Sequence, residues 1–400
     1  MSELIKIMLT QHVGVSGIPI VDVGNKVKAG QLIAKCSGLG ANIHSSVNGK
    51  VIGMGDLAVD IIADDFQSDD FVKIKDTSTN LEAVKEAGVV GAGGAGFPAH
   101  VKFDVDLQGG SVIVNAAECE PGLAHNTKVL SENAECIFRG LGYIMEMTNA
   151  AKGYIAVKAS NRDIMSVSER DEPLSRKITN DNIEITYLSD RYPAGDERVV
   201  VREVLGIELN PGQLPARVGV IVTNAETVKR VVEAIELRKP VITKDFTVAG
   251  RFIGTFRKKA VTYLDQPIGA SIGKYIADCG GFLEPYGELV LGGPFMGKPG
   301  TVNSVVTKTM GGILAAMPFP EDNSKFGILA CECGAQESRL REIVNRMGGT
   351  VTCELKCKRM VEINGRFRCE KPGACPGQAE AALRFKTNGA GAIMVGACED

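Results

Sequence analysis

Several common classes are excluded by what the 400-residue sequence does not contain. No stretch approaches the roughly eighteen consecutive apolar residues of a membrane helix, and the N-terminus MSELIKIMLT has no apolar signal-peptide core. The formal net charge is only −3, so the charge balance gives no reason to expect nucleic acid or an anionic lipid surface as partner. Histidine is scarce, and His12, His44, His100 and His125 are too scattered to read as a ligand set. No serine or cysteine triad is discernible, nor any long repeat or low-complexity tract. The expectation is a cytoplasmic protein with no direct membrane insertion, in which a complex can still supply a membrane partner.

The bulk is that of an ordinary globular chain, 44% hydrophobic and 23% charged, long enough for two to four domains. Cysteine use is uneven. Cys36, Cys119, Cys136 and Cys279 are spread over the first 330 residues and read as core or surface thiols. The other seven (Cys331, Cys333, Cys353, Cys357, Cys369, Cys375 and Cys398) fall in the last 70. In a reducing compartment such clustering points to metal or redox chemistry rather than to structural disulfides.

Residues 1–72 read as short strands broken by glycine turns, resembling a lipoyl-type barrel-sandwich, with Asn48-Gly49 as a hairpin signal. No lysine occupies a clear carrier position, which favours a docking or structural module. Residues 73–242 alternate strand and helix, among them SVIVNAAE, KGYIAVKA, NIEITYLSD and RVGVIVTN as strands. HNTKVLSENAECIFRGLGYIMEMT, ERVVVREVLG and AETVKRVVEAIELRK read as helices, giving a layered α/β unit. Residues 243–318 form a smaller α+β piece, and the polar, proline-rich MPFPEDNSKFG links it to a cysteine-rich segment, 325–400. The predicted class is multidomain α/β.

The chemistry centres on GAGGAGFPAHVKF (91–103). Gly91, Gly93, Gly94 and Gly96 let the backbone approach a ligand and aim its amides at phosphate, although a tight turn shares the pattern. The run departs from a dinucleotide fingerprint, because Phe97-Pro98 follows at once and no acid ends the next strand at the usual interval. VNAAECEPG then places Asn115, Glu118 and Glu120 at the carboxyl end of a buried strand, where α/β folds bind ligands. A basic Lys102 near a phosphate and an asparagine reaching a heterocycle suit a flavin mononucleotide.

These two motifs, with RYPAGDERVVV (191–201), LPARVGVIVTNAETV (214–228) and GGPFMG (292–297), resemble the flavoprotein subunit of respiratory complex I. They are more similar still to the RnfC-type component of the Rnf ferredoxin:NAD oxidoreductase. The resemblance covers residues 10–315 and implies a barrel-sandwich, a flavin-binding α/β domain and a β-grasp domain of the soluble-ligand-binding type, in that order. It implies FMN contacts from Gly91, Gly93, Gly94, Gly96, Lys102, Asn115 and Glu118, with Thr223 and Asn224 closing the pocket. Phe97 and Phe103 match aromatics that sandwich a nicotinamide nucleotide, with core packing an equal alternative for Phe103. Glu120 and Glu197 match acids that hydrogen-bond the dinucleotide. The implied chemistry is hydride transfer from NADH to FMN and then single-electron exit, which the cofactor performs while the protein orients it.

RnfC-type proteins bear two C-x2-C-x2-C-x3-C-P runs after the β-grasp domain, and this chain has none. Its tail instead resembles the small iron–sulfur protein that links heterodisulfide reductase to its hydrogenase. That implies a [2Fe–2S] cluster on Cys331, Cys333, Cys375 and Cys398. Cys353, Cys357 and Cys369 are the alternative ligands or a redox dithiol, and zinc is the alternative metal. The whole arrangement is similar to the electron-transfer protein associated with D-proline reductase in amino-acid fermentation, a family that includes selenoproteins. The expected function is NADH oxidation through FMN, passing electrons by the tail, Cys398 included, to a partner reductase, most simply proline reductase; the chain can also form homo-oligomers. The alternatives are a flavin-free docking or relay component and a member of an Rnf-like complex. A further expectation is that the natural protein continues past Asp400 with selenocysteine, giving a C-x2-Sec pair with Cys398.

Overall fold

A computed structural model of the chain describes residues 3–94, 96–165, 182–255 and 259–397. Two small antiparallel sheets open the fold. Leu4–Met8, Ala58–Ala63, Gly49–Met54 and Lys26–Val27 form one, and Ile18–Pro19, Leu32–Lys35 and Ile43–His44 the other. Every second residue of Ala58–Ala63 is buried, the period of a half-buried strand. Asn48-Gly49 is not a hairpin turn. Gly49–Met54 turns back on Ala58–Ala63, and Asn48 stands where the chain crosses between sheets, its side-chain oxygen accepting the Ala29 amide at 3.0 Å.

The central unit is a four-stranded parallel sheet in the order Ile183–Leu188, Lys152–Lys158, Ser111–Asn115, Val220–Asn224. In chain order this is 3-2-1-4, so the topological switch falls between Ser111–Asn115 and Val220–Asn224. Crevices at such a point, outside the carboxyl ends of the strands, are where open α/β sheets bind ligands. Helices cover both faces, which is why consecutive residues Val112–Val114 and Val220–Thr223 are buried rather than alternating.

The predicted helix over HNTKVLSENAECIFRGLGYIMEMT is two helices, His125–Glu132 and Ala134–Thr148, divided at Asn133, whose φ of −129° is not helical. Helix Ala225–Val232 has the sequence of an amphipathic surface helix, yet every residue in it is buried. Its charges find partners in the next sheet. Lys229 pairs with Asp245 (3.0 Å) and Asp265 (2.8 Å), Arg230 with the same two acids, and Glu226 with Lys244. Buried charges are tolerated only when paired in this way.

That next sheet has five strands, ordered Ala260–Pro267, Thr243–Gly250, Gly312–Ala315, Leu289–Leu291, Lys298–Gly300. Its apolar face shares one core with the N-terminal sheets, Phe246, Phe252 and Tyr275 packing with Ile5, Ile33 and Ile61. The last unit is a parallel sheet in the order Thr350–Lys356, Lys325–Ala330, Ala392–Val395, with a hairpin Met360–Ile363/Arg366–Cys369 and helices Glu337–Arg346 and Ala379–Thr387.

Candidate functional site

A cavity of about 660 Å³ opens at the switch point. Its size is that of a site for a nucleotide-sized ligand. The glycine loop, the ends of Ser111–Asn115 and Val220–Asn224, the start of helix Glu197–Leu205 and the segments 291–299 and 305–311 together line it. The structure thus brings Gly91, Gly93, Gly94, Phe97, Lys102, Asn115, Glu118, Glu120, Glu197, Thr223 and Asn224 to one wall or another of a single space.

Each of these side chains has a local reason for its position. Gly94 has φ +95°, a left-handed conformation that favours glycine, and its missing Cβ faces open space. The loop is tied to helix Ala225–Val232 by the Ala92 amide, which donates to Thr227 Oγ1 at 2.9 Å. Asn115 donates to the Gly195 carbonyl at 2.9 Å and accepts the Ala117 amide at 3.0 Å, pinning the loop 191–196 to the strand end. Asn224 caps helix Ala225–Val232 by accepting the Glu226 amide. Asp196 caps helix Glu197–Leu205, and the adjacent Glu197 pairs with Lys102 at 2.7 Å.

Three residues depart from their expected parts. Gly96 does not line the cavity; with φ +62° it packs against His12 and Thr309 and accepts the Val13 amide, so it seats the loop on the N-terminal unit. Phe103 lies against the cavity wall but is wholly buried in the core, so it packs there rather than standing free to stack on a ligand. Glu120 is already occupied: its carboxylate accepts the amides of Phe295 (2.8 Å) and Met296 (3.0 Å). Burial raises its pKa while those two bonds oppose the rise. It closes the turn 292–297 over the cavity.

Sequence reasoning missed His125 and Asn126, which line the cavity from the start of their helix. His125 is kept neutral by burial and lies 3.6 Å from Glu118. Glu118, at φ +37°, turns back to accept the Asn126 amide at 2.6 Å. The side-chain oxygen of Asn126 is buried with no partner, an acceptor that an N–H of a bound heterocycle would satisfy. The only signal in the sequence was their place five and six residues beyond Glu120. Exposed loop glycines, a lysine and that orphan acceptor around one cavity fit a flavin mononucleotide.

A second, much smaller cleft of about 40 Å³ lies across the loop 191–196. Tyr192 and Pro193 line it together with Cys331, Cys333, Cys357, Cys369 and Cys375. It collects members of both expected ligand sets. Cys353 stands apart on its strand, beside Thr352, and Cys398 lies outside the described residues. Among the described residues no group of three or more Cys, His, Asp or Glu is arranged to hold a metal ion. Cys333 and Cys369 line the same cleft; the neighbouring Cys333 thiol, the Lys371 amide and the Arg198 charge lower Cys369 to about 7, against the opposing effect of burial. The neighbouring Cys369 thiol, with burial, raises Cys333.

Comparison with known proteins agrees with this geometry. Residues 1–67 match the RnfC barrel sandwich hybrid domain and residues 84–233 the Nuo51 FMN-binding domain. The chain is 31% identical over 333 residues to the RnfC-type component of the Na(+)-translocating ferredoxin:NAD(+) oxidoreductase complex of Acetobacterium woodii, covering 78% of this chain and 73% of that protein. It is 32% identical over 310 residues to the proton-translocating counterpart from Clostridium ljungdahlii, covering 73% of this chain and 65% of the relative's length. It is 40% identical over 236 residues to the cobalamin reductase PduS of Salmonella typhimurium, covering 58% of this chain and 49% of that one. Among the described residues no helix is long and apolar enough to cross a membrane.

Proposed function

Because the chain belongs to the RnfC family of ion-translocating ferredoxin:NAD(+) oxidoreductase complexes, we propose that it is their FMN-bearing electron-transfer component, oxidising NADH at the switch-point cavity. The single observation that carries this reading is the convergence of Lys102, Asn115, Glu118 and Thr223 on one cavity with the glycine loop. Bound FMN would supply hydride acceptance followed by one-electron release. The protein's part is positional. Gly93 and Gly94 offer backbone amides to a phosphate, with Lys102 as its counter-charge. Asn126 and neutral His125 hold the ring edge, and the turn 292–297, clamped by Glu120, shields the reacting face from water.

The partner we propose is the remainder of such a redox complex, in keeping with the relatives' description as members of multi-protein complexes. A second reading, delivery to a separate reductase such as proline reductase, is favoured by one feature: a cysteine-lined cleft stands where RnfC-type proteins bear C-x2-C-x2-C-x3-C-P runs. The four-unit division at 1–72, 73–242, 243–318 and 325–400, with a β-grasp third unit, is part of the same proposal. Anaerobically purified protein should show a flavin spectrum that NADH bleaches. Colourless protein that takes up no added FMN would remove the reading and leave a docking protein.

A further inference from the structure

The cysteine cleft and the flavin cavity are separated by one loop. Tyr192 and Pro193 face the cysteines, whereas Gly195 and Glu197, two to four residues on, face the larger cavity. The contacts across this wall are dense and involve Cys333 and Cys369, two of the cysteines that line the cleft. The Tyr192 hydroxyl donates to the Cys333 carbonyl at 2.6 Å, and Arg198 donates to the Cys369 carbonyl at 2.6 Å. Glu332, between Cys331 and Cys333, accepts from the Cys369 amide (2.6 Å) and from Arg198 (2.8 Å) and Arg368 (2.6 Å). Tyr192 also packs edge-on against Phe295, ring centroids 4.6 Å apart, and the Phe295 amide is the one Glu120 holds at the cavity rim. The backbone of both cysteines is thus fixed to the flavin-side loop and helix by buried or half-buried bonds.

We propose that Cys333 and Cys369 form a redox-active dithiol–disulfide pair that accepts electrons across the loop 191–196. Oxidation joins the two Sγ atoms and releases two protons and two electrons. Reduction breaks the S–S bond, and both sulfurs take up a proton and an electron. The reductant is the reduced flavin of the adjoining cavity, which returns to its oxidised form. A pairing between residues 36 apart in sequence needs the hairpin Met360–Ile363/Arg366–Cys369 to fold back onto the end of Lys325–Ala330, and the Glu332–Cys369 and Arg198 bonds secure that return. The inference rests on the flavin reading for its electron source but not for the pair itself.

The test begins on the full chain without flavin. The protein is equilibrated in dithiothreitol redox buffers, acid-quenched, alkylated and mapped by mass spectrometry. The expected result is a Cys333–Cys369 linkage that appears, with joint loss of both alkylations, at one midpoint. In Cys369→Ser, Cys333 should stay alkylatable in every buffer. Both thiols remaining alkylated in the most oxidising buffer would overturn the proposal, as would a linkage of either to Cys331, Cys357 or Cys375. Anaerobically isolated protein in which bound iron or zinc shields these thiols would overturn it too. FMN and NADH are then added to the disulfide form, with flavin binding followed separately by fluorescence. Return of both thiols is expected; bound, NADH-bleached flavin with the disulfide intact sinks the proposed transfer alone. Absence of flavin binding sinks the earlier reading and leaves the pair standing.

Discussion

The carboxylate of Glu120 accepts the Phe295 amide at 2.8 Å and so joins the strand end of the flavin-binding domain to a turn of the neighbouring sheet. An acid expected to meet a dinucleotide instead holds the cover of its site. Replacing it with alanine strands the half-buried Phe295 amide, at a cost of about 1–3 kcal/mol. Glu120→Ala should lower the denaturant midpoint by that amount and raise the KM for NADH. Unchanged values for both would show that the turn stays closed without the clamp.

Gly293 belongs to the same device. A Cβ at this position would lie 2.2 Å from the Glu120 carboxyl group, which would have to move. Gly293→Ala should therefore mimic Glu120→Ala, and the double variant should cost clearly less than the sum of the two. A coupling energy of about 0.5–3 kcal/mol is the expected size for residues in contact. Strict additivity in a double-mutant cycle would break the link.

Lys102 and Glu197 meet at 2.7 Å with side chains about one-third exposed (33% and 38%). Exposed pairs of this kind are worth about 0.2–1 kcal/mol to folding, whereas a charged bond to a ligand is worth about 1.5–3. Lys102→Met should thus weaken FMN binding by roughly tenfold or more while moving the unfolding midpoint little. Flavin fluorescence titration beside a denaturant melt reads both. A large loss of stability with unaltered FMN affinity would assign the lysine to structure instead.

The legible part of the site was the part carried on single motifs. Lys102 and Asn115 could be placed because they follow a glycine loop and end an apolar strand, whereas Thr223 was placed by the family resemblance of its motif. What was illegible depended on partners distant in sequence. Nothing in AETVKRVVEAIELRK marks its polar face as buried, because Asp245 and Asp265 lie in another sheet. Glu120 looked free because the amides it accepts come from residues 175 and 176 positions away. The grouping of the cysteines was hidden for the same reason. The resemblance placed Cys331 and Cys333 in one set and Cys357 and Cys369 in the alternative, but parallel strands and a returning hairpin bring all four to one cleft.

Lys308 provides a pH-dependent prediction. It is fully buried at the seam between units, its ammonium donating to the carbonyls of Asn42 (2.7 Å) and Gly88 (2.8 Å), and burial lowers its pKa to about 7. The unfolded chain, with an ordinary lysine, binds more protons than the folded one between about pH 7 and 10.5. Stability from this group therefore rises with pH across that window, by up to about 1.4 kcal/mol per unit, and is flat below it. Lys308→Met removes the titration. The stability of the natural chain minus that of Lys308→Met, taken from urea melts at pH 7, 8 and 9, should grow steadily in favour of lysine. A difference that stays constant over those three melts would mean that the ammonium keeps its proton in the seam, held by the two carbonyls against the cost of burial.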